Sequence, residues 1–122
     1  MSMKAADFMG LLFLARDVAH SVHLNTHSYA VHKATQKFYE GLPDLADTFA
    51  EAWMGRHGLI GPVSLMSANK NNDLVEFLED QLAQIATGRY EFCPQEETAI
   101  QNLIDEIVAH YLSAIYKLKN LS

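Results

Sequence analysis

Residues 29–58 read YAVHKATQKFYEGLPDLADTFAEAWMGRHG, and their spacing decides the fold class. Val31, Ala34, Phe38, Leu42, Leu45, Ala46, Phe49 and Trp53 recur at intervals of three and four, the period of an amphipathic helix and not of a strand. Gly41 and Pro43 fall inside this pattern. Proline lacks a backbone donor and crowds the preceding turn, so two readings follow: a kink in one helix, or a break with Pro43 at the first position of a fresh one. Both end near Gly55.

The same period continues on either side. From Ala5 to Leu24, the apolar residues Phe8, Leu11, Leu12, Ala15, Val18, Ala19 and Val22 predict a first helix. The short polar run Asn25-Thr26-His27-Ser28 then predicts a tight turn, with the second helix starting near Ser28 or Tyr29 as an antiparallel neighbour. Residues 56–72 are rich in Gly, Ser and Asn yet include Leu59, Ile60, Val63, Leu65 and Met66. They predict a long connection with apolar residues to bury and room for a short extra helix. Asp73 with Glu76 is a capping pair, and Leu74, Phe77, Leu78, Leu82, Ile85 and Ala86 predict a third helix ended by Gly88. Pro94, with Glu96 and Glu97 in the first turn, opens a fourth, whose stripe runs Ile100, Leu103, Ile104, Ile107, Tyr111, Leu112 and Ile115 to Lys117 and Lys119. The fold class expected is all-α: one domain over residues 1–122, a four-helix bundle. The long connection between helices two and three favours the ferritin-like plan over a plain antiparallel bundle.

Composition narrows the function classes. At 122 residues, 49% hydrophobic and 20% charged, the chain fits one globular core. Its longest apolar stretch, Phe8 to Ala15, is bracketed by Asp7 and Arg16 and falls far short of the roughly 20 residues needed to span a bilayer. The N-terminus lacks the order of regions found in a secretory signal, and Cys93 is the sole cysteine, so a cytoplasmic or other reducing setting is expected. Net charge is -6 with scattered basic residues, which disfavours DNA binding.

The chemistry-bearing residues are histidines and carboxylates. Of six His, four (His20, His23, His27 and His32) crowd the first turn. On helix two, Asp47 and Glu51 sit one turn apart on one face, where both could reach a single ion. Imidazole with carboxylate suits first-row transition metals, iron among them. Taken singly, such acid pairs are more often a solvated face, and His23 with His27, also one turn apart, reads as exposed and unliganded.

Taken together, Ala19-His20, Ala30-Val31-His32 and Ala46-Asp47-Thr48-Phe49-Ala50-Glu51, closing at Gly55 to Gly58, resemble the Dps family of mini-ferritins over roughly residues 8–58. In that family a His ending the first helix, a second His twelve residues on, and an Asp-x-x-x-Glu fifteen beyond it form the ferroxidase centre. The resemblance implies metal ligands His20, His32, Asp47 and Glu51, bound iron (two ions or one) oxidised by peroxide or oxygen, and a mineral stored within a twelve-subunit shell. Two positions depart from the pattern: Ser21 stands where the family usually carries Trp, and Gln36 where it carries an acid. A neutral amide is a poorer partner for a second iron, which leaves zinc or manganese as alternatives.

Geometry adds a condition. If helix two is continuous, His32 and Glu51, nineteen residues apart, lie about 28 Å apart at 1.5 Å per residue. No single ion spans that distance, so a four-ligand site needs two chains, a two-fold homodimer at the least. The competing reading, motivated by Ser21 and Gln36, is a non-enzymatic helical assembly or interaction protein that keeps the bundle without the chemistry. A third, a single-chain di-iron bundle using Glu76, Glu79, Glu106 or His110, lacks the paired Glu-x-x-His that such bundles use; Glu106 and His110 read as a surface polar pair. Trp53 reads as packing, and Cys93 carries no mark of a nucleophile.

Overall fold

The computed structural model describes residues 2–68 and 73–121. Four helices account for most of them: α1 (Ala5–Asn25), α2 (Tyr29–His57), α3 (Leu74–Phe92) and α4 (Thr98–Asn120), with no strand among the described residues. Helix starts follow the capping chemistry. Ser28 Oγ accepts the Val31 N–H at 3.2 Å and the Asp73 carboxylate accepts the Glu76 N–H at 3.3 Å, each satisfying a first-turn donor that the helix itself cannot.

α2 runs unbroken across Gly41 and Pro43, which discards the break. Leu42, Ala46 and Phe49 are buried around the proline, and that packing outweighs the ~3 kcal/mol an internal proline costs. Gly41 serves a close contact. A Cβ there would lie 2.7 Å from Cε1 of His110, so the glycine lets the α4 imidazole settle on α2, where Nε2–H donates to the Phe38 carbonyl at 2.9 Å. Glu106 and His110 are therefore not a surface pair: Glu106 is exposed, but His110 is half-buried in the α2–α4 seam.

Two boundaries differ from the expectation. α3 continues through Gly88 to Phe92, because Gly88 is buried and Met3 occupies the space where a side chain would project. α4 begins at Thr98 instead of Pro94. Residues 94–97 form a turn closed by the Glu97 N–H on the Pro94 carbonyl at 3.0 Å. Buried Gln101 holds that turn by donating to the Cys93 carbonyl at 2.9 Å, and Arg89 from α3 reaches Gln101 Oε1 and Asp105 Oδ1, each at 2.7 Å.

Contacts at the helix ends fix the topology. Met3 N–H donates to Glu91 at 3.0 Å, Trp53 Nε1–H to the Phe92 carbonyl at 2.8 Å, and His57 meets Glu97 at 2.7 Å. One end of the bundle thus gathers the start of α1, the finishes of α2 and α3, and the start of α4. Lys119 with Glu79 marks the opposite end at 3.2 Å. The order is up, down, down, up, with α1 and α4 each packed between α2 and α3, the connectivity of ferritin-like bundles with one long crossover.

Because α2 and α3 point the same way, residues 58–73 must return along the bundle, about 28 Å for a helix of α3's length. Residues 58–68 run along α1 without forming a helix, and residues 69–72 lie outside the described range. Ile60 and Val63 pack on the core, but Leu59 and Leu65 are 92% and 82% exposed, so only part of the expected apolar load is buried. The connection is pinned at Ser64, whose N–H reaches the Ala6 carbonyl at 3.3 Å and whose hydroxyl donates to Asp7 Oδ1 at 2.6 Å. Asp7 Oδ2 also accepts the Lys4 N–H at 2.9 Å. The Ser64 hydroxyl first, and then the Lys4 amide, hold the Asp7 carboxyl below the usual carboxylate range. A lowered folded value means the contribution is complete above the unfolded value and is lost as pH falls through the folded one. Asp7→Asn is expected to flatten acid unfolding at that end of the range, read by circular dichroism against pH; an identical acid limb would refute the assignment.

The core is one contiguous cluster. Phe8 meets Phe49 edge-on at 4.9 Å and stacks on Phe92 at 5.1 Å, joining α1, α2 and α3. Farther along, Tyr111 is fully buried. Its hydroxyl donates to Gln81 Oε1 at 2.6 Å, and Gln81 Nε2 donates to the Leu11 carbonyl at 3.1 Å, a polar thread through α4, α3 and α1. Burial pushes the phenol far up, so it stays a donor. Tyr111→Phe leaves Gln81 without that donor and is expected to cost about 1–2 kcal/mol in urea unfolding; an unchanged midpoint would deny the bond any role.

Candidate metal site on the first helical pair

The α1–α2 turn assembles an aromatic and imidazole cluster. His20, exposed near the end of α1, stacks on Tyr39 of α2 at 4.2 Å and 13°. His32, half-buried in the first turn of α2, stacks on His23 at 3.7 Å and 24°. His23 lies 6.1 Å from His20 and meets Tyr39 edge-on at 5.2 Å. The two predicted imidazole ligands therefore share one end of the helical pair, linked through His23 and Tyr39. His27 is exposed in the turn.

Hydrogen bonds assign the protons of the central pair. His23 Nδ1 lies 2.8 Å from the His32 carbonyl oxygen, and His32 Nδ1 lies 3.3 Å from the His23 carbonyl oxygen. A carbonyl only accepts, so each Nδ1 carries the proton and each neutral ring keeps its lone pair on Nε2. Buried Thr35 completes the knot: its hydroxyl donates to the Val31 carbonyl at 2.7 Å and lies 3.3 Å from His23 Nδ1.

The carboxylates stand elsewhere. Asp47 and Glu51 are exposed on α2 with no ion-pair partner among the described residues. They follow His32 by fifteen and nineteen residues on a continuous helix, about 22 and 28 Å along its axis. The structure thus brings His20 and His32 to one end and leaves the two acids toward the other. Among the described residues of one chain, no three His, Cys, Asp or Glu side chains are placed to hold a metal ion. Between the two halves lies a shallow groove of about 190 Å³ lined by Phe13, Arg16, Pro43 and Asp47, among others. Phe13 is 39% exposed there.

His23 is the residue whose role the sequence reading missed. Its pairing with His27 suggested a surface position, whereas it is 9% exposed. The signal was present: His23 falls four residues after Ala19 and eight after Ala15, on the buried stripe of α1.

A family model described as "Family of unknown function (DUF5856)" matches residues 23–118, most of the chain. The chain belongs to the DUF5856 family. A relative in Enterobacteria phage T4, described as an uncharacterized 14.6 kDa protein in the mobD-ri intergenic region, is 34% identical over 116 residues, covering 94% of this chain and 88% of its own length. No solved structure gives a significant match to this DUF5856 chain. No helix among its described residues is long and apolar enough to cross a membrane.

Proposed function

We propose that this DUF5856 chain is a Dps-like, iron-binding homo-oligomer of the cytoplasm, with a metal site completed between two copies. His20 and His32 of one copy face Asp47 and Glu51 of the other. The observation that carries the reading is the unbroken course of α2 from His32 to Glu51, which keeps the halves too far apart for one chain to close on an ion. A two-fold axis pairing His32 with Asp47 and Glu51 crosses α2 between Tyr39 and Leu42, beside the groove where Phe13 and Pro43 lie. An isologous contact there buries an apolar patch and creates two equivalent sites at once. Exposed Leu24, Leu59 and Leu65 offer further surface for assembly toward a shell of twelve copies.

The donor set fits the chemistry. His32 keeps a neutral Nε2 lone pair, and the two carboxylates supply anionic oxygen suited to Fe(II) and to the Fe(III) it becomes. Fe(II) is the substrate: two Fe(II) ions, taken in succession or from the two sites of a dimer, each give one electron, and one hydrogen peroxide with two protons leaves as two waters. The residues orient it and neutralise its charge. Gln36, half-buried and donating to Glu40 at 3.3 Å, brings no charge to a second ion, which favours one iron per site, or zinc or manganese in its place.

Molar mass in solution, iron stoichiometry and peroxide-dependent Fe(II) oxidation test this together. The wild type is expected to be a dimer or larger with two sites per dimer, and His32→Ala to lose both binding and oxidation. Equal rates in the two proteins would leave the second reading, a helical assembly or interaction protein in which the histidine knot only ties α1 to α2, and a monomer would leave the interaction protein alone.

A further inference from the structure

We propose that His23 is a positioning residue for His32, an inference that rests on the metal reading above for its use but not for its geometry. Three contacts join the pair: His23 Nδ1–H to the His32 carbonyl at 2.8 Å, His32 Nδ1–H to the His23 carbonyl at 3.3 Å, and stacked rings with centroids 3.7 Å apart. Each imidazole spends its Nδ1 proton on the main chain of the other residue. The arrangement is reciprocal, so disturbing one ring disturbs the seat of the other.

The chemical effect falls on the tautomer. A histidine side chain free in water prefers its proton on Nε2, which hides the nitrogen a metal would take. Here the His23 carbonyl draws the His32 proton to Nδ1, and Nε2 is left as the donor. The side chain of His23 keeps that carbonyl and that ring in register, because its own bond anchors the His32 main chain and its face backs the His32 ring. Thr35 beneath it and Tyr39 against its edge hold His23 in turn, and Tyr39 carries the His20 ring on its own face. Both nitrogen ligands of the half-site thus lean on one scaffold, buried at His23 and Thr35 and half-buried at Tyr39, the kind of outer support that sets ligand orientation. A residue at this place with bulk but no donor would fill the space and lose the anchor.

The test uses long-range imidazole nitrogen–proton correlation spectra of the full-length, metal-free protein at alkaline pH, followed by cobalt(II) titration of the same samples. In the wild type, His32 is expected to carry its proton on Nδ1. His23→Phe keeps a stacked ring and removes only the donor; it is expected to return His32 to a mixture rich in the Nε2–H form and to weaken cobalt binding by roughly tenfold or more. His23→Asn, whose amide places an N–H near the lost Nδ1, is expected to recover part of both readouts. A wild-type His32 protonated on Nε2 overturns the proposal, as does His23→Phe matching wild type in both readouts, or His23→Asn doing no better than His23→Phe. A wild type that shows the Nδ1–H form, shifted by His23→Phe, yet takes up no cobalt supports the positioning and removes the metal reading alone.

Discussion

Chains carrying His32→Ala and chains carrying Glu51→Ala are each expected to lose cobalt(II) binding, and an equimolar mixture of the two, dissociated and reassembled, to regain about a quarter of the wild-type sites. The arithmetic follows from two-fold symmetry. A mixed dimer has one site lacking both His32 and Glu51 and one site lacking neither, and random pairing makes about half of all dimers mixed. A site built within one chain predicts no recovery at all, because neither variant contains a complete set. Cobalt's visible absorption in a nitrogen and oxygen environment reports both occupancy and coordination. Recovery above background, with the mass of a dimer or larger, is the result that the proposed shared site predicts. Absence of recovery, in variants whose wild-type parent binds, would place the metal elsewhere.

Gly10→Ala is expected to be the most damaging single-methyl change in the bundle. A Cβ on residue 10 would overlap the Ser64 carbonyl oxygen and stand 2.8 Å from its carbon, main-chain atoms that no rotamer change can move aside. The connection must lift off α1, and with it go the Ser64 bonds to Asp7 and Ala6. Overpacking of this kind costs about 1–3 kcal/mol, and loss of the charge-assisted Ser64–Asp7 bond adds to it. Alanine's better helix propensity returns about 1 kcal/mol, leaving a net loss of about 2–4 kcal/mol in urea unfolding. Gly55→Ala is the control: nothing lies within 4 Å of its would-be Cβ, so the same substitution should stabilise by about 0.5–1 kcal/mol. Equal shifts at the two glycines would mean the connection does not rest on α1.

Much of this architecture was legible in residue order alone, for reasons that can be named. Helical period and capping chemistry are local: Ser28 and Asp73 act within three residues of themselves, so α2 and α3 start where expected. The misses arise where a distant segment decides. Gly88 reads as a stop, but Met3, from the other end of the chain, covers it and the helix continues. Pro94 reads as a start, but the turn after it is held by Gln101 and Arg89, from the flanking helices. Pro43 left kink and break open because the deciding term, burial of Leu42, Ala46 and Phe49 against other helices, is tertiary. The candidate site divides the same way. The resemblance to the Dps family singled out His20, His32, Asp47 and Glu51, and the continuity of α2 was stated as a condition and met. The burial of His23 was legible in the apolar stripe of α1, but its pairing with His32 was not, because that depends on how α1 and α2 rotate about their own axes.

Cys93 bears on any setting in which peroxide is turned over. It is fully buried at the end of α3, and burial first, then the neighbouring Glu97 carboxylate, pushes its thiol up. Peroxide attacks the thiolate and not the protonated sulfur. In the shared-site assembly proposed above, an oxidant at the surface therefore meets no ready sulfenic acid precursor and no sulfur to cross-link one copy to the next.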